Sequence, residues 1–347
     1  PDVAINVARS EPVNLAMRGA LEPLDTYPGF EETVDRFMPT AMDPYRFYGH
    51  TYAMPETQSF NMMFVRTDIF EELGLTPPET WDDLYEIAPI LQRNNMEVGL
   101  PAGVFNMLLL QNGGQYYNDT LTAMDFDSDV ANESFLEWVQ FYTQYGYSLF
   151  KDDYNRFRTG EMPLTIMAYS FYCQLHVAAP EIMGRWEMLP IPGTRQEDGS
   201  ILRADSTTAS STAVGSGTCG ILLKSSDKKE EGWKFLEWWS RADTQTEFGL
   251  EVEETIGTAA RYTTANREAF ANLPWTTDEL EMLEKQWANI QEIPEVPGGY
   301  YTSRNLDNAF RACVYRLENP REMLRYWTNE TNKEIQRKLE EYHLGPQ

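Results

Sequence analysis

Residues 51–70 read TYAMPETQSFNMMFVRTDIF, two short apolar runs joined by a polar bridge. Tyr52 and Met54 on one side, and Met62, Phe64 and Val65 on the other, are strand material by residue type. Between them Pro55, Glu56, Thr57, Gln58, Ser59 and Asn61 supply carboxylate, amide and hydroxyl groups in close succession. Such groups are costly to bury without partners. The stretch therefore predicts a chain that crosses from one strand to another through residues suited to holding something polar.

Outward from this bridge, short apolar strands alternate with amphipathic helices, which predicts α/β layers. PDVAINV (1–7) reads as a strand, followed by a helix over 11–18 that stops at Gly19. After the strand at 61–66, Thr67 or Asp68 is placed to cap the helix DIFEEL, which ends at Gly74. In TPPETWDDLYEIAPILQRN (76–94) Thr80 is the expected N-cap of a helix running to about Asn94. FDSDVANESFLEWVQFYTQYG (126–146) puts Phe135, Trp138, Val139, Tyr142 and Tyr145 on one helical face. MPLTIMA, WEMLPIP and GILLK read as strands, and KKEEGWKFLEWWS as a helix. A long C-terminal helix begins at the Asn319 cap with Pro320 in its first turn.

With 347 residues, two domains are expected. At 42% hydrophobic and 13% aromatic residues the chain can build real cores. No run of apolar residues is long enough to span a bilayer. The opening PDVAINVARS has no Met, basic segment or apolar stretch of a leader, so a processed or truncated chain is expected. With 28 Lys and Arg against 54 Asp and Glu the formal charge is −26, a field that repels phosphate backbones and anionic lipid. Nucleic acid is thereby excluded as a partner. Cys173, Cys219 and Cys313 are far apart and read as isolated core residues rather than a disulfide framework.

Motifs for catalysis are weak. Gly215-x-Gly217-x-x-Gly220 follows a Ser/Thr run and precedes the strand-like ILL, the wrong context for a dinucleotide turn. Asp125, Asp127 and Asp129 have the spacing of a calcium loop, but Val130 and Leu136 stand where its Gly and Glu belong, so Ser128 or Asp129 is read as a helix cap. Only His50, His176 and His343 occur, apart from one another, with no zinc motif and no GxSxG elbow. No metal and no cofactor are expected. The Ser/Thr/Gly stretch at 206–220 reads equally as an interdomain connector or a loop. What stands out is aromatic supply in polar surroundings: VFN at 104–106, YSFY at 169–172 and GGYY at 298–301. Flat rings stack on the apolar face of a sugar while planar polar groups take its hydroxyls.

Several segments in order resemble family 1 extracellular solute-binding proteins, the carbohydrate receptors of ABC importers, in the maltose-binding type and its large Gram-positive branch. They are GHTYAMPETQSFNMMFVRTDIFEELGLTPPETWDDL, with Pro78, Thr80, Trp81, Asp82, Asp83 and Leu84 supplying a P-x-T-W-[DE]-[DE]-L motif, then FRTGEMPLTIMAYSFY. GILLKSSDKKEEGWKFLEWWSRADTQTEFG and GGYYTSRNLDNAFRACVYRLENPREML follow. The resemblance implies an α/β, periplasmic-binding-protein type II fold, two lobes with a ligand cleft at the hinge. It also implies an N-terminal lobe lacking its first strands, because the chain starts at what resembles the third. Residues 1–56 and 221–256 would form that lobe, and 57–220 with 257–347 the other. Crossings are then expected at 55–61, at the Ser/Thr/Gly stretch near Gly220, and at 253–261.

The implied activity is binding without chemistry: a carbohydrate, as an oligosaccharide, handed to ABC permease subunits by a monomeric, extracellular lipoprotein. A two-carboxylate hydrolase and a ligand sensor for a membrane signalling partner are the alternatives. Expected contacts are Glu56, Gln58 and Asn61 at the first crossing. Phe105, Asn106, Tyr169, Phe171 and Tyr172 follow from the second lobe, with Tyr300, Tyr301 and Arg304. Asp205 and Arg261 complete the set near the other crossings. The family's usual stacking Trp is absent, with Phe171 or Tyr172 in its region.

Overall fold

Two β-sheets, each covered by its own helices, organise the computed structural model, which describes residues 1–149, 152–207 and 217–346. The smaller sheet pairs strand Thr218–Leu222 between Val3–Ala8 and Ala53–Pro55, antiparallel on both sides. Residues 208–216 of the Ser/Thr/Gly stretch, including Gly215, lie outside the described part. The larger sheet has four strands in the order Val98–Gly99, Leu164–Ala168, Asn61–Val65, Glu187–Leu189, with one parallel pair at its edge.

Asn61–Val65 is buried along its whole length because helices cover both faces of this sheet. The alternation of a strand sends Met63 and Val65 into one core and Met62 and Phe64 into another. The first core lies under helices Trp81–Arg93, Val104–Gln111, Asp129–Thr143, Thr302–Arg316 and Pro320–Glu341. The second lies under Phe171–Ala178 and Thr277–Trp287. Around the smaller sheet, Trp233 of helix Lys229–Trp239 packs with Leu24, Phe30 and Met54, its ring stacked 5.7 Å from Tyr27.

Local signals act as their chemistry dictates at three helices. Thr80 and Asp83 form a reciprocal capping box, Ser128 caps Asp129–Thr143, and Asn319 caps Pro320–Glu341. The helix Thr67–Leu73 differs from expectation. Its cap position is Arg66, without a side-chain cap bond, because the Arg66 guanidinium grips the Asp68 carboxylate at 2.9 and 2.7 Å. The three cysteines are free and buried.

Candidate functional site

The two sheets meet where the chain runs from Pro55 to Asn61. Glu56 N–H donates to Thr218 O at 2.9 Å, and Gln58 N–H donates to Thr263 O at 2.9 Å. Ala265 N–H donates back to Glu56 O at 3.0 Å, and Thr57 bridges Thr264 antiparallel. The polar stretch is therefore held between two other passages of the chain. The later one begins at Thr263, just beyond the 253–261 segment singled out from sequence.

The side chains of Glu56, Thr57, Gln58 and Asn61 at this crossing are buried and partnered. Glu56 accepts from Asn6 N–H at 2.6 Å, Trp239 Nε1–H at 3.0 Å and Thr218 Oγ1–H at 3.2 Å. Asn6 can turn its amide to Glu56 because strand Val3–Ala8 shifts register there, with Asn6 at φ 57°. A bulge of this kind re-aims groups beside functional sites. Gln58 accepts from Trp287 Nε1–H at 2.7 Å and donates to Glu292 Oε1 at 2.6 Å. Asn61 donates to Asp205 Oδ2 at 2.9 Å, and Ser206 N–H donates to Asp205 Oδ1 at 2.8 Å. Half-buried Asn106 donates to Ser206 Oγ at 2.8 Å and accepts from the Tyr116 hydroxyl. Tyr117, next along, shares a 2.9 Å bond with Thr302.

Burial governs the electrostatics. Asp205, 1% exposed, has its carboxyl pushed up to about 7 by burial, against the donors Asn61 and Ser206. Burial also raises Glu56, opposed by its hydrogen bonds, and Glu295, opposed by Arg9. Arg9 supplies the positive charge, 2.5 Å from Glu292 and 3.5 Å from Glu295.

Glu56, Gln58, Asn61, Asn106 and Asp205 thus converge between the sheets. The remaining expected contacts sit elsewhere. Phe105 is a core residue, ringed by Tyr116, Phe126, Phe135 and Trp138. Phe171 is edge-on to Phe64 in the other core, and Tyr169 is closed over by Phe60 and Phe270, its hydroxyl donating to Gln58 O. Rings in these positions have their faces covered, which corrects the expectation that they are available for stacking. Tyr172 and Trp275 flank Arg261, whose guanidinium lies 4.3 Å from the Trp275 ring centre and pairs with Glu253 through two 2.8 Å bonds. Arg304 stacks 3.9 Å over Tyr301 on the outer start of helix Thr302–Arg316, and the Tyr300 hydroxyl donates to Glu334.

Sequence reasoning missed Arg9, Glu292, Glu295 and Tyr116. A signal existed for the acids: QEIPEVP (291–297) sets two carboxylates among prolines and apolar residues, an unusual place for charge. Among the described residues no three His, Cys, Asp or Glu side chains gather as a metal site, and no helix is long and apolar enough to cross a membrane. The cluster offers amides, hydroxyls and carboxylates, the donors and acceptors that a polyhydroxylated ligand needs. A cavity of about 440 Å³ is lined by Asp25, Asp43, Arg46, Tyr48 and His50 together with Leu121 and Pro294.

A family model described as bacterial extracellular solute-binding protein matches residues 1–246. A candidate binding protein of Brucella abortus is 26% identical over 252 residues, 68% of this chain and 57% of that protein, so the chain spans 57% of the length of this curated relative. The sugar-binding protein MalE of Xanthomonas citri superposes with a TM-score of 0.81 at 17% identity, over 99% of this chain and 86% of that one. A cyclic alpha-maltosyl-1,6-maltose binding protein of Arthrobacter globiformis gives 0.75 at 18% identity, over 97% and 85%. Together they show the type II periplasmic-binding fold of two α/β lobes.

Proposed function

The chain belongs to the bacterial extracellular solute-binding proteins, and from that premise we propose that it binds a carbohydrate between its lobes, without chemistry. The observation that carries this reading is the convergence of Glu56, Gln58, Asn61, Asn106 and Asp205 on one buried polar cluster between two sheets. Hydroxyl-rich ligands exchange hydrogen bonds with such groups on both sides of a cleft, and closure follows because each lobe contributes contacts. The similarity to a sugar-binding protein and to a cyclic alpha-maltosyl-1,6-maltose binding protein supports the same ligand class.

The lobes of this proposal are 1–56 with 221–256, and 57–220 with 257–347. Because strand Thr218–Leu222 pairs with Val3–Ala8, the boundary at 220 is better placed before Thr218. Delivery to ABC permease subunits, action as a monomer, and attachment outside the membrane as a lipoprotein belong to the same proposal and rest on the family. The expected contacts Tyr300, Tyr301 and Arg304 sit at the start of helix Thr302–Arg316, away from this cluster, and a role for them in holding one end of a longer ligand belongs to the same proposal.

A thermal-shift screen with di- and oligosaccharides, followed by calorimetry on the hits, is the test. Saturable binding with the sugar recovered intact supports the reading. Silence across glycans rejects it, and shortened sugar in the recovered ligand points to the two-carboxylate hydrolase instead.

A further inference from the structure

Glu56, Asp205, Glu292 and Glu295 share a single guanidinium. Arg9 lies 2.5 Å from Glu292 and 3.5 Å from Glu295, and among the described residues no Lys, Arg or His pairs with Glu56 or Asp205. These acids form one neighbourhood. Glu292 Oε1 accepts from Gln58 Nε2–H at 2.6 Å, close in the chain to Glu56, and from the hydroxyl of Thr207, close to Asp205. The Glu292 charge acts on both Asp205 and Glu295, and Glu11 adds to it at Glu295. Glu56, Asp205 and Glu292 are buried, and apart from Arg9 their partners are neutral amide, indole and hydroxyl donors. Burial pushes the Glu56, Asp205 and Glu295 carboxyls up, the direction expected where negative charge outruns positive.

We propose that the sugar held by this cluster is an amino sugar, whose protonated amine neutralises acids that Arg9 leaves uncompensated. The inference rests on the carbohydrate reading above and adds the charge of the ligand to it. A buried carboxylate without a counter-charge is costly, and a ligand that brings a positive charge removes that cost on binding. An ammonium has three donors and no acceptor, which suits a site where carboxylate oxygens are in excess. Its hydrogen bonds to carboxylates are charge-assisted, roughly twice as strong as those of a neutral hydroxyl. An acidic sugar meets the opposite situation, because Arg9 is already engaged by Glu292 and Glu295 and every other charge in the cluster repels it. A metal ion is a poor substitute: among the described residues no three His, Cys, Asp or Glu side chains gather closely enough to hold one. The formal charge of −26 acts in the same sense, drawing cationic ligands toward the chain and turning anionic ones away.

The test is calorimetry on the full chain, refolded from denaturant to strip any co-purified molecule, against matched oligosaccharides that differ in charge. Glucosamine, glucose and glucuronate oligomers of one linkage are compared, with galactosamine, galactose and galacturonate oligomers beside them and maltotriose as a further neutral probe. The tightest ligand should carry an amine and bind about tenfold more tightly than its neutral counterpart, and the uronates should bind weakest. Glu56→Gln and Asp205→Asn each remove one negative charge and should shrink the ratio between the amino sugar and its neutral counterpart. If circular dichroism shows that both variants fail to fold, the wild-type ranking decides alone. A neutral or acidic sugar as the tightest ligand, equal affinity for amino and neutral counterparts, or a ratio that neither folded variant reduces would overturn the inference and leave the carbohydrate reading in place. Silence across the whole panel would overturn both.

Discussion

Asn61 and Asp205, separated by 144 residues, are joined by a 2.9 Å hydrogen bond from the amide to the carboxylate at the place where the two sheets meet. Asp205 is buried so completely that its carboxyl titrates near pH 7.

That displacement has a consequence for stability. The folded value lies above the ordinary carboxylate value of about 4, so between the two the native chain holds a proton that the unfolded chain has released. The stability from this group is full below about pH 4 and is lost as pH rises through about 7. Asp205→Asn has no proton to lose. Melting temperatures of wild type and variant, taken at pH 5 and pH 8, should show the variant gaining on wild type at the higher pH. A gap that stays constant would show that the carboxyl titrates normally in the folded chain.

Gln58 joins Trp287 and Glu292 through opposite ends of one amide. Gln58→Ala leaves a buried indole N–H and one carboxylate oxygen short of a partner, which costs about 1–3 kcal/mol. The midpoint of urea unfolding should fall accordingly, together with any sugar affinity. The burial of Gln58 makes a structural cost unavoidable. An unchanged midpoint would return Gln58 to the status of a loop residue.

Thr80 and Asp83 make the capping box of helix Trp81–Arg93. Thr80→Ala should destabilise by about 1 kcal/mol, and Thr80→Ser should restore most of it. If both variants melt together, the box contributes nothing.

Gly232 lies inside helix Lys229–Trp239, where alanine would be favoured by about 1 kcal/mol on propensity. A Cβ there would sit 2.5 Å from Leu222 Cδ1 and 3.1 Å from Val3 Cγ2, on the smaller sheet. Overpacking of about 1–3 kcal/mol outweighs the propensity. Gly232→Ala should therefore melt lower than wild type, and in combination with Leu222→Ala the two losses should be less than additive. Strict additivity would mean the contact is relieved by a shift of the helix.

Local chemistry made much of this legible. Thr80, Ser128 and Asn319 cap helices as their positions indicate, since a cap needs only residues within three or four of itself. The cap expected at Thr67 or Asp68 did not form because Asp68 had a better partner in Arg66. Glu56, Gln58 and Asn61 were visible because polar groups between two strands stand out. Phe105 and Phe171 were not readable as core, because a ring looks the same in sequence whether or not other rings close over it. Arg9 offered no sign at all, its partners lying nearly the whole chain away.

The sequence by itself determined the alternation of strands and helices, the polar crossing at 55–61 and the family, because each is carried by periodicity or by short runs of residues. Only the tertiary structure decided which polar groups meet. The pairing of Asn61 with Asp205 and of Arg9 with Glu292 joins segments 144 and 283 residues apart. The burial that lifts Asp205 and the covering of Phe105 and Phe171 arise from the packing of such distant segments. Desolvation and long-range hydrogen bonds are properties of packed surfaces, and no stretch of chain contains them.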